Sequence, residues 1–296
     1  VGYFIAGAID PATRQAFVVN AQSGRVDILD ISAPDLPVLA GTLNVAADIA
    51  SAIPALAGPE ALGAANSVAV AGNLLAVAVE ADTKQDNGYV ALYQTDGTFL
   101  SATEAGALPD MLAFTPDGNT LLVANEGEPN GDYSVDPEGS ITLVDLTGGA
   151  ANAVSRTLRF TDFNTGGSKT LGADVRISAK SASIAQDIEP EFITVSADGS
   201  TAWVALQENN ALAVVDVAAG EISAVIGLGY KDHGLTGNGL DASNRDGGTN
   251  IREWPLRGTY MPDSLKSYTV NGTTYVVSAN EGDGREYLTD AASEAE

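Results

Sequence analysis

The sequence predicts an all-β fold, a β-propeller of four-stranded antiparallel blades, and three observations carry that prediction. One pattern recurs along the chain: a short apolar strand, an Asp-Gly-type turn, a second strand ending in an acid or amide, a polar loop, and a third strand ending in Asp. Its period is about 40 residues, the spacing of propeller repeats. Composition agrees, because 45% hydrophobic but only 18% charged residues, with 32 glycines, suits many short strands joined by tight turns. The 296 residues read as a single domain over 1–296, with units near 3–45, 64–104, 107–160, 187–228 and 259–288. The last unit breaks off, so an incomplete ring lacking its C-terminal part is expected.

The first unit contains IDPATRQAFVVNAQSGRVDILDI from Ile9, which aligns without a gap to the later part of the fourth and sets Asp30 on Asp216. The Ala/Pro-rich stretch 43–63 predicts a short helix on one face. The second unit, NSVAVAGNLLAVAVEADTKQDNGYVALYQTDGTFLS from Asn66, is the weaker copy; the third, DMLAFTPDGNTLLVANEGEPNGDYSVDPEGSITLVDL from Asp110, is among the clearest. Alternation in the third predicts burial of Leu112, Phe114, Leu122, Ile141 and Val144 between blades. In the fourth, Phe192–Val195 is the inner strand, Gly199 takes the turn, and Thr201–Leu206, Ala211–Val217 and Glu221–Gly227 follow as strands. The fifth starts DSLKSYTVNGTTYVVSANEGDGREY at Asp263. Two insertions interrupt the repeat: a polar connection over 161–187 and a longer segment over 228–258. Loops of that length in a compact fold are functional or metal-organised as a rule. Asp30, Asp145 and Asp216 close third strands, where an aspartate bonds N–H groups of the following turn.

Acids and amides fall at two equivalent places in each repeat. Asn66, Asp110, Glu191 and Asp263 precede the inner strand; Glu80, Glu126, Gln207 and Glu281 follow the second strand. The inner strand runs away from the first position and the second strand runs back, so both belong at one mouth of the central channel. Asp110, Glu126, Glu191, Asp263 and Glu281 thus form a predicted carboxylate collar, to which unit one, with Ile5 and Ala21 at the matching places, adds no acid. Unpaired, such a collar repels itself and raises its pKa values. Oxygen-only ligands select hard ions, so the expected cofactor is Ca²⁺. Asp241, Asn244 and Asp246 in the loop DASNRDGG form a second calcium candidate, without the spacing of an EF-hand. Asp132, Asp136 and Glu138 form a third acidic group, read first as a solvated loop.

Exclusions narrow the function. A formal net charge of −25 repels nucleic acid and anionic membrane faces. Cysteine is absent, which removes disulfides, thiolate metal sites and a Cys nucleophile. No apolar run is long enough to span a bilayer. There is no GxSxG, GxGxxG or Walker loop, and the one histidine, His233, reads as a hydrogen-bonding loop residue, so no catalytic residue is assigned.

The fourth unit resembles the YVTN-type propeller repeat of bacterial surface and lactonase-like proteins. More closely, DMLAFTPDGNTLLVANEGEPNGDY, QDIEPEFITVSADG, LQENNALAVVD, GYKDHGLTGNGLDASNRDGGTNI and SANEGDGREY resemble, in the same order, the bacterial choice-of-anchor I proteins. That group includes sequences labelled mesenchyme-specific cell-surface glycoprotein-like or atypical alkaline phosphatase. The resemblance implies export, an extracellular, cell-surface or periplasmic location, and a propeller that continues past Glu296 in full-length members.

Three functions compete. The first is a calcium-stabilised binding, adhesion or scaffold module whose partner is a surface or matrix protein or a glycan. The second is a Ca²⁺-dependent phosphoesterase at the collar, by fold-level analogy with propeller phytases, with Lys231, Arg245, Arg252 and Arg285 to meet a phosphate. The third is a lactonase-like hydrolase around one channel Ca²⁺.

Overall fold

The computed structural model describes residues 6–20, 24–178, 182–282 and Gly284. Four four-stranded antiparallel sheets follow one another in chain order, each wound from its inner to its outer strand. Blade one holds β1 (Gly7–Asp10), β2 (Gln15–Asn20), β3 (Arg25–Asp30) and β4 (Val38–Leu43). Blade two holds β5 (Leu62–Ala71), β6 (Leu74–Ala81), β7 (Asn87–Gln94) and β8 (Phe99–Ala107). Blade three holds β9 (Pro109–Phe114), β10 (Thr120–Asn125), β11 (Ser140–Asp145) and β12 (Val154–Arg159). Blade four holds β13 (Pro190–Val195), β14 (Thr201–Leu206), β15 (Ala211–Asp216) and β16 (Glu221–Gly227). The hairpin of β19 (Pro262–Val270) and β20 (Thr273–Asn280) begins a fifth, preceded by the two-residue pair β17 (Lys231–Asp232) and β18 (Arg257–Gly258). First strands of successive blades pack side by side: β1 on β5, β5 on β9, β9 on β13, β13 on β19. This is the predicted propeller.

Its core is divided among the interfaces between blades. Phe17, Val26, Leu75 and Tyr93 fill the space between blades one and two. Leu92, Leu112, Leu121 and Val144 fill the next. Leu122, Ile141, Val204 and Ala213 fill the third. Alternation therefore sends Leu112 and Val144 to one neighbour and Leu122 and Ile141 to the other, as a period of two requires. All four are buried; Phe114 is only half-buried, at the edge of its cluster.

The segments between blades are also committed to the core. The expected helix in 43–63 is α1 (Val45–Ala52), whose Val45 and Ile49 sit wholly inside the cluster of blades one and two. Its Asp48 accepts a hydrogen bond from the buried Tyr93 hydroxyl at 2.9 Å. The connection 161–187 is less polar than its sequence suggests, because Phe163, beside Phe160 at the end of blade three, packs into the core of blades three and four. It ends in α2 (Ile184–Asp187), closed by a capping box between Ser183 and Gln186. Within 228–258, Trp254 donates its Nε1–H to the Leu240 carbonyl, and the Arg252 guanidinium lies 3.8 Å from the Trp254 ring centroid.

Candidate functional site

The acids predicted to share one mouth do so, and β-bulges aim them there. In β5–β6, Ala65 pairs Val79 and Ser67 pairs Ala78, so Asn66 is the extra residue. In β9–β10, Pro109 pairs Asn125 and Met111 pairs Ala124, leaving Asp110 extra. In β19–β20, Pro262 pairs Asn280 and Ser264 pairs Ala279, leaving Asp263 extra. The shift in β13–β14 lies between Pro190 and Ile193 and contains Glu191. A bulge bends the strand and redirects the unpaired side chain, so one irregularity repeated in four blades builds the collar. Leu108 and Met261, just before Pro109 and Pro262, hold left-handed φ values of 50° and 46°, a strained conformation for residues with a Cβ. Their carbonyls accept the N–H groups of Glu126 and Glu281, which ties the two acidic positions of each blade together.

Burial and mutual repulsion raise the acids of the mouth. Burial, followed by the charges of Asp263 and Glu80, pushes Asp110 up to about 6, although Lys84 opposes the rise. Burial pushes Glu191 up to about 10, with added repulsion from Glu208, Glu126, Asp110 and Asp263. Glu126 is also held well above the usual carboxylate range, first by burial and then by Asp110, Glu128, Glu189 and Glu208. Asp263 is raised by burial and by Glu281. Residues of blades two to five therefore feel one another across the mouth. Hydrogen bonds add to the links within and between blades: Asn66 Nδ2 donates to Glu80 Oε2 at 3.2 Å and to the Pro109 carbonyl at 3.1 Å, and Gln207 Nε2 donates to Glu281 Oε2 at 3.3 Å. Ile5 and Ala21, the matching positions of unit one, lie outside the described residues, as does Arg285.

Three charges at the mouth were missed by the sequence reading: Glu128, Glu189 and Glu208. Glu189 and Glu208 are buried and flank positions that were recognised, one before Pro190 and one after Gln207. The signal that could have found Glu208 is the run QENN. Its Asn209 donates to the Arg176 and Asp187 carbonyls and to Asp187 Oδ2, each at 3.0 Å. Its Asn210 accepts from the N–H groups of Tyr260 and Met261 at 2.8 and 3.1 Å. With Asn210 Nδ2 donating to the Gly229 carbonyl at 2.8 Å, these amides tie both insertions to blade four.

The other acidic groups are engaged locally. Asp241 accepts the N–H groups of Ser243 and Asn250 at 3.4 and 3.2 Å, and Asn244 and Asp246 are exposed beside it. Asp132 accepts the Ser134 N–H, and Glu138 pairs with Arg159 at 3.1 Å. Among the described residues, no three His, Asp or Glu side chains lie close enough to share one metal ion. His233 Nδ1 lies 2.7 Å from the Asn238 carbonyl, a loop contact.

The fold and mouth define a β-propeller with an acidic opening. The chain belongs to the choice-of-anchor I family, whose domain matches residues 6–296. Choice-of-anchor domains are associated with cell-surface or secreted proteins. Among curated proteins, none matches it. Among solved structures it is similar to the Cps50 (Swd1) β-propeller domain of Myceliophteria thermophila, at 14% identity and a TM-score of 0.48 over 77% of this chain and 56% of that one. It is similar to a functionally unknown protein from Desulfotomaculum acetoxidans, at 12% identity and 0.48 over 76% and 58%. A protein from Lactobacillus plantarum matches at 18% identity and 0.48 over 75% and 56%. The chain thus spans little more than half the length of each. No helix among the described residues is long and apolar enough to cross a membrane.

Proposed function

We propose that this domain is an extracellular binding or scaffold module whose acidic mouth is neutralised by Ca²⁺, with mainly structural effect. One observation carries the reading: Asp110, Glu126, Glu191 and Asp263, from three blades, are partly buried among like charges and all hold their protons too tightly. A cation relieves that repulsion, and an all-oxygen donor set suits a hard ion. The donors fit calcium in kind. Their arrangement does not yet fit, since no three of the described acids share a point. An ion therefore enters by drawing rotatable glutamates together, and the stabilisation it gives is net of that movement.

Protons and Ca²⁺ compete for the same oxygens, so binding strengthens with pH and releases protons. An ion that binds only the folded state stabilises it by about 2.7 kcal/mol at a hundredfold excess over Kd. The test is thermal unfolding with and without millimolar Ca²⁺ at pH 8. The expected result is a rise in Tm that chelator reverses and Glu126→Gln or Glu191→Gln abolishes. Sodium chloride at equal ionic strength reproduces only the screening part. No response to Ca²⁺, Mg²⁺ or Mn²⁺ in the wild-type domain sinks the proposal. The phosphoesterase alternative demands Ca²⁺-dependent ester turnover in the same samples. It gains little from Arg252, which is stacked on Trp254.

A further inference from the structure

At the far end of the blades from the collar, blades three and four leave a groove of about 670 Å³ between their turns. That volume falls within the range of small-ligand sites, roughly 300–1,000 Å³. Pairing of Thr120 with Asp145 and of Asn125 with Ser140 places the groove and Glu126 at opposite ends of β10. Three aspartates line it, Asp117, Asp145 and Asp198, with Arg156 and the apolar side chains of Val154 and Val217.

The aspartates are held, not merely present. Asp145 Oδ1 accepts the Thr147 N–H and hydroxyl at 2.9 and 2.7 Å. Asp198 Oδ1 accepts the Ser196 hydroxyl at 2.6 Å and the Ser200 N–H and hydroxyl at 3.0 and 2.8 Å. The Oδ2 atoms of both accept no hydrogen bond from any described residue, so each carboxylate is fixed by one oxygen and open at the other. Asp117 keeps both oxygens on Thr115 and Asn119. Arg156 lies over Gly220 and uses one N–H on the Ala219 carbonyl at a long 3.4 Å, at the rim of a groove that also carries the hydroxyls of Thr147 and Ser155.

We infer that this groove binds an oligosaccharide segment of about two sugar units, with the open oxygens of Asp145 and Asp198 accepting sugar hydroxyls and Arg156 donating to ring or hydroxyl oxygens. Other ligand classes fit less well. The acids do not gather three to a point, which disfavours a metal ion. Three carboxylates repel a phosphate or nucleic acid. A guanidinium among them disfavours a simple polyamine. A polyhydroxylated ligand answers fixed acceptors, donors and an apolar strip together. The site is independent of the collar reading and survives its failure.

The test is titration of the ¹⁵N-labelled domain with the neutral sugars cellobiose, chitobiose and maltose, followed by amide and Arg156 Nε–H shifts, with spermidine as the cationic probe. The expected result is saturable shifts at Thr147, Ser200 and Arg156 with at least one disaccharide. Asp145→Asn and Asp198→Asn keep the oxygen that holds each turn but turn the open oxygen into an amide donor. Each should weaken binding about tenfold, the loss of one charge-assisted hydrogen bond. Asp30→Asn alters the same turn position in blade one and should leave binding unchanged. Shifts with none of the three sugars overturn the proposal. So does equal weakening by Asp30→Asn, and so does saturable binding of spermidine alone at these residues.

Discussion

Carboxylates at the two ends of blades three and four behave in opposite ways. At the turn end, Thr147 and Thr115 side chains hold Asp145 and Asp117 below the usual carboxylate range, and Ser196 heads the contacts that hold Asp198 down to about 2. At the mouth, burial and neighbouring charge push Asp110 up to about 6 and Glu191 up to about 10. Residue type does not decide this; burial and the supply of donors do. Each turn aspartate meets N–H and O–H groups fixed by its own loop, in open water. Each mouth acid meets other acids, brought there by a bulge. One end of the molecule is relaxed and anionic, and the other stores repulsion that protonation discharges.

The largest effect should come from breaking the strained end. Because Glu191 rises from an ordinary 4.5 to about 10, the folded state holds a proton that the unfolded state releases. The stability it contributes is fully present below about pH 4.5 and is lost as pH rises toward 10. In chelator, Tm should therefore fall across that window. Glu191→Gln keeps the shape, removes the titration, and should raise stability at pH 8 by at least about 1.4 kcal/mol, one pKa unit's worth. That corresponds to a rise in Tm of roughly 2–4 °C for a domain of this size. The gain should vanish near pH 4.5. A lower Tm for Glu191→Gln at pH 8 in chelator would show that the mouth is not strained, and the contrast would collapse.

Asp187 sharpens the comparison, being buried like the mouth acids yet supplied with donors like the turn acids. Both its oxygens receive the Ser178 N–H, at 3.0 and 3.1 Å, and Oδ2 also receives Asn209 Nδ2. Asn209→Ala removes that donor and the two bonds to the Arg176 and Asp187 carbonyls, all in a wholly buried place. A loss of about 2–4 kcal/mol in chemical denaturation is expected. A loss below 0.5 kcal/mol, the usual range for a surface change, would mean that donors do not decide the fate of a buried carboxylate here.

The propeller was legible because it repeats: strands expected at Thr201–Leu206 and Glu221–Gly227 are β14 and β16 without change of boundary. The collar was legible as far as strand direction carries, since both acidic positions lie at one end of a hairpin whatever their side chains do. The bulges were not, because in blades three, four and five they fall at the start of the inner strand, where too few residues precede them to show the inverted alternation. Yet Leu108-Pro109-Asp110 with Asn125-Glu126-Gly127, and Met261-Pro262-Asp263 with Asn280-Glu281-Gly282, repeat the bulged geometry in two blades. Glu208 escaped because alternation sends the neighbour of Gln207 to the other face. The tight turn that ends at Asn210, with φ of 49°, cancels that alternation. The segment 161–187 looked polar, and its one aromatic, Phe163, is what anchors it in the core.

The smallest expected effect is at the relaxed end. Asp198 falls from an ordinary 3.8 to about 2, chiefly through the Ser196 hydroxyl and then through Ser200. Here the unfolded state binds the extra proton, so the contribution is present above about pH 3.8 and is lost as pH falls toward 2. The group is exposed and its charge screened by solvent, so the effect is a small one. Asp198→Asn keeps an oxygen for Ser200 but removes the charge and the titration. At pH 7 the variant should melt slightly below the wild type, by less than Asn209→Ala does. The gap should narrow below about pH 4 and close near pH 2, the mirror image of Glu191→Gln, whose gap opens as pH rises. Matched melting curves of the two variants from pH 2 to 9 therefore test the contrast in one experiment. Gaps that open in the same direction would mean that a common response of the whole acidic surface, rather than local donors, sets the behaviour of both ends.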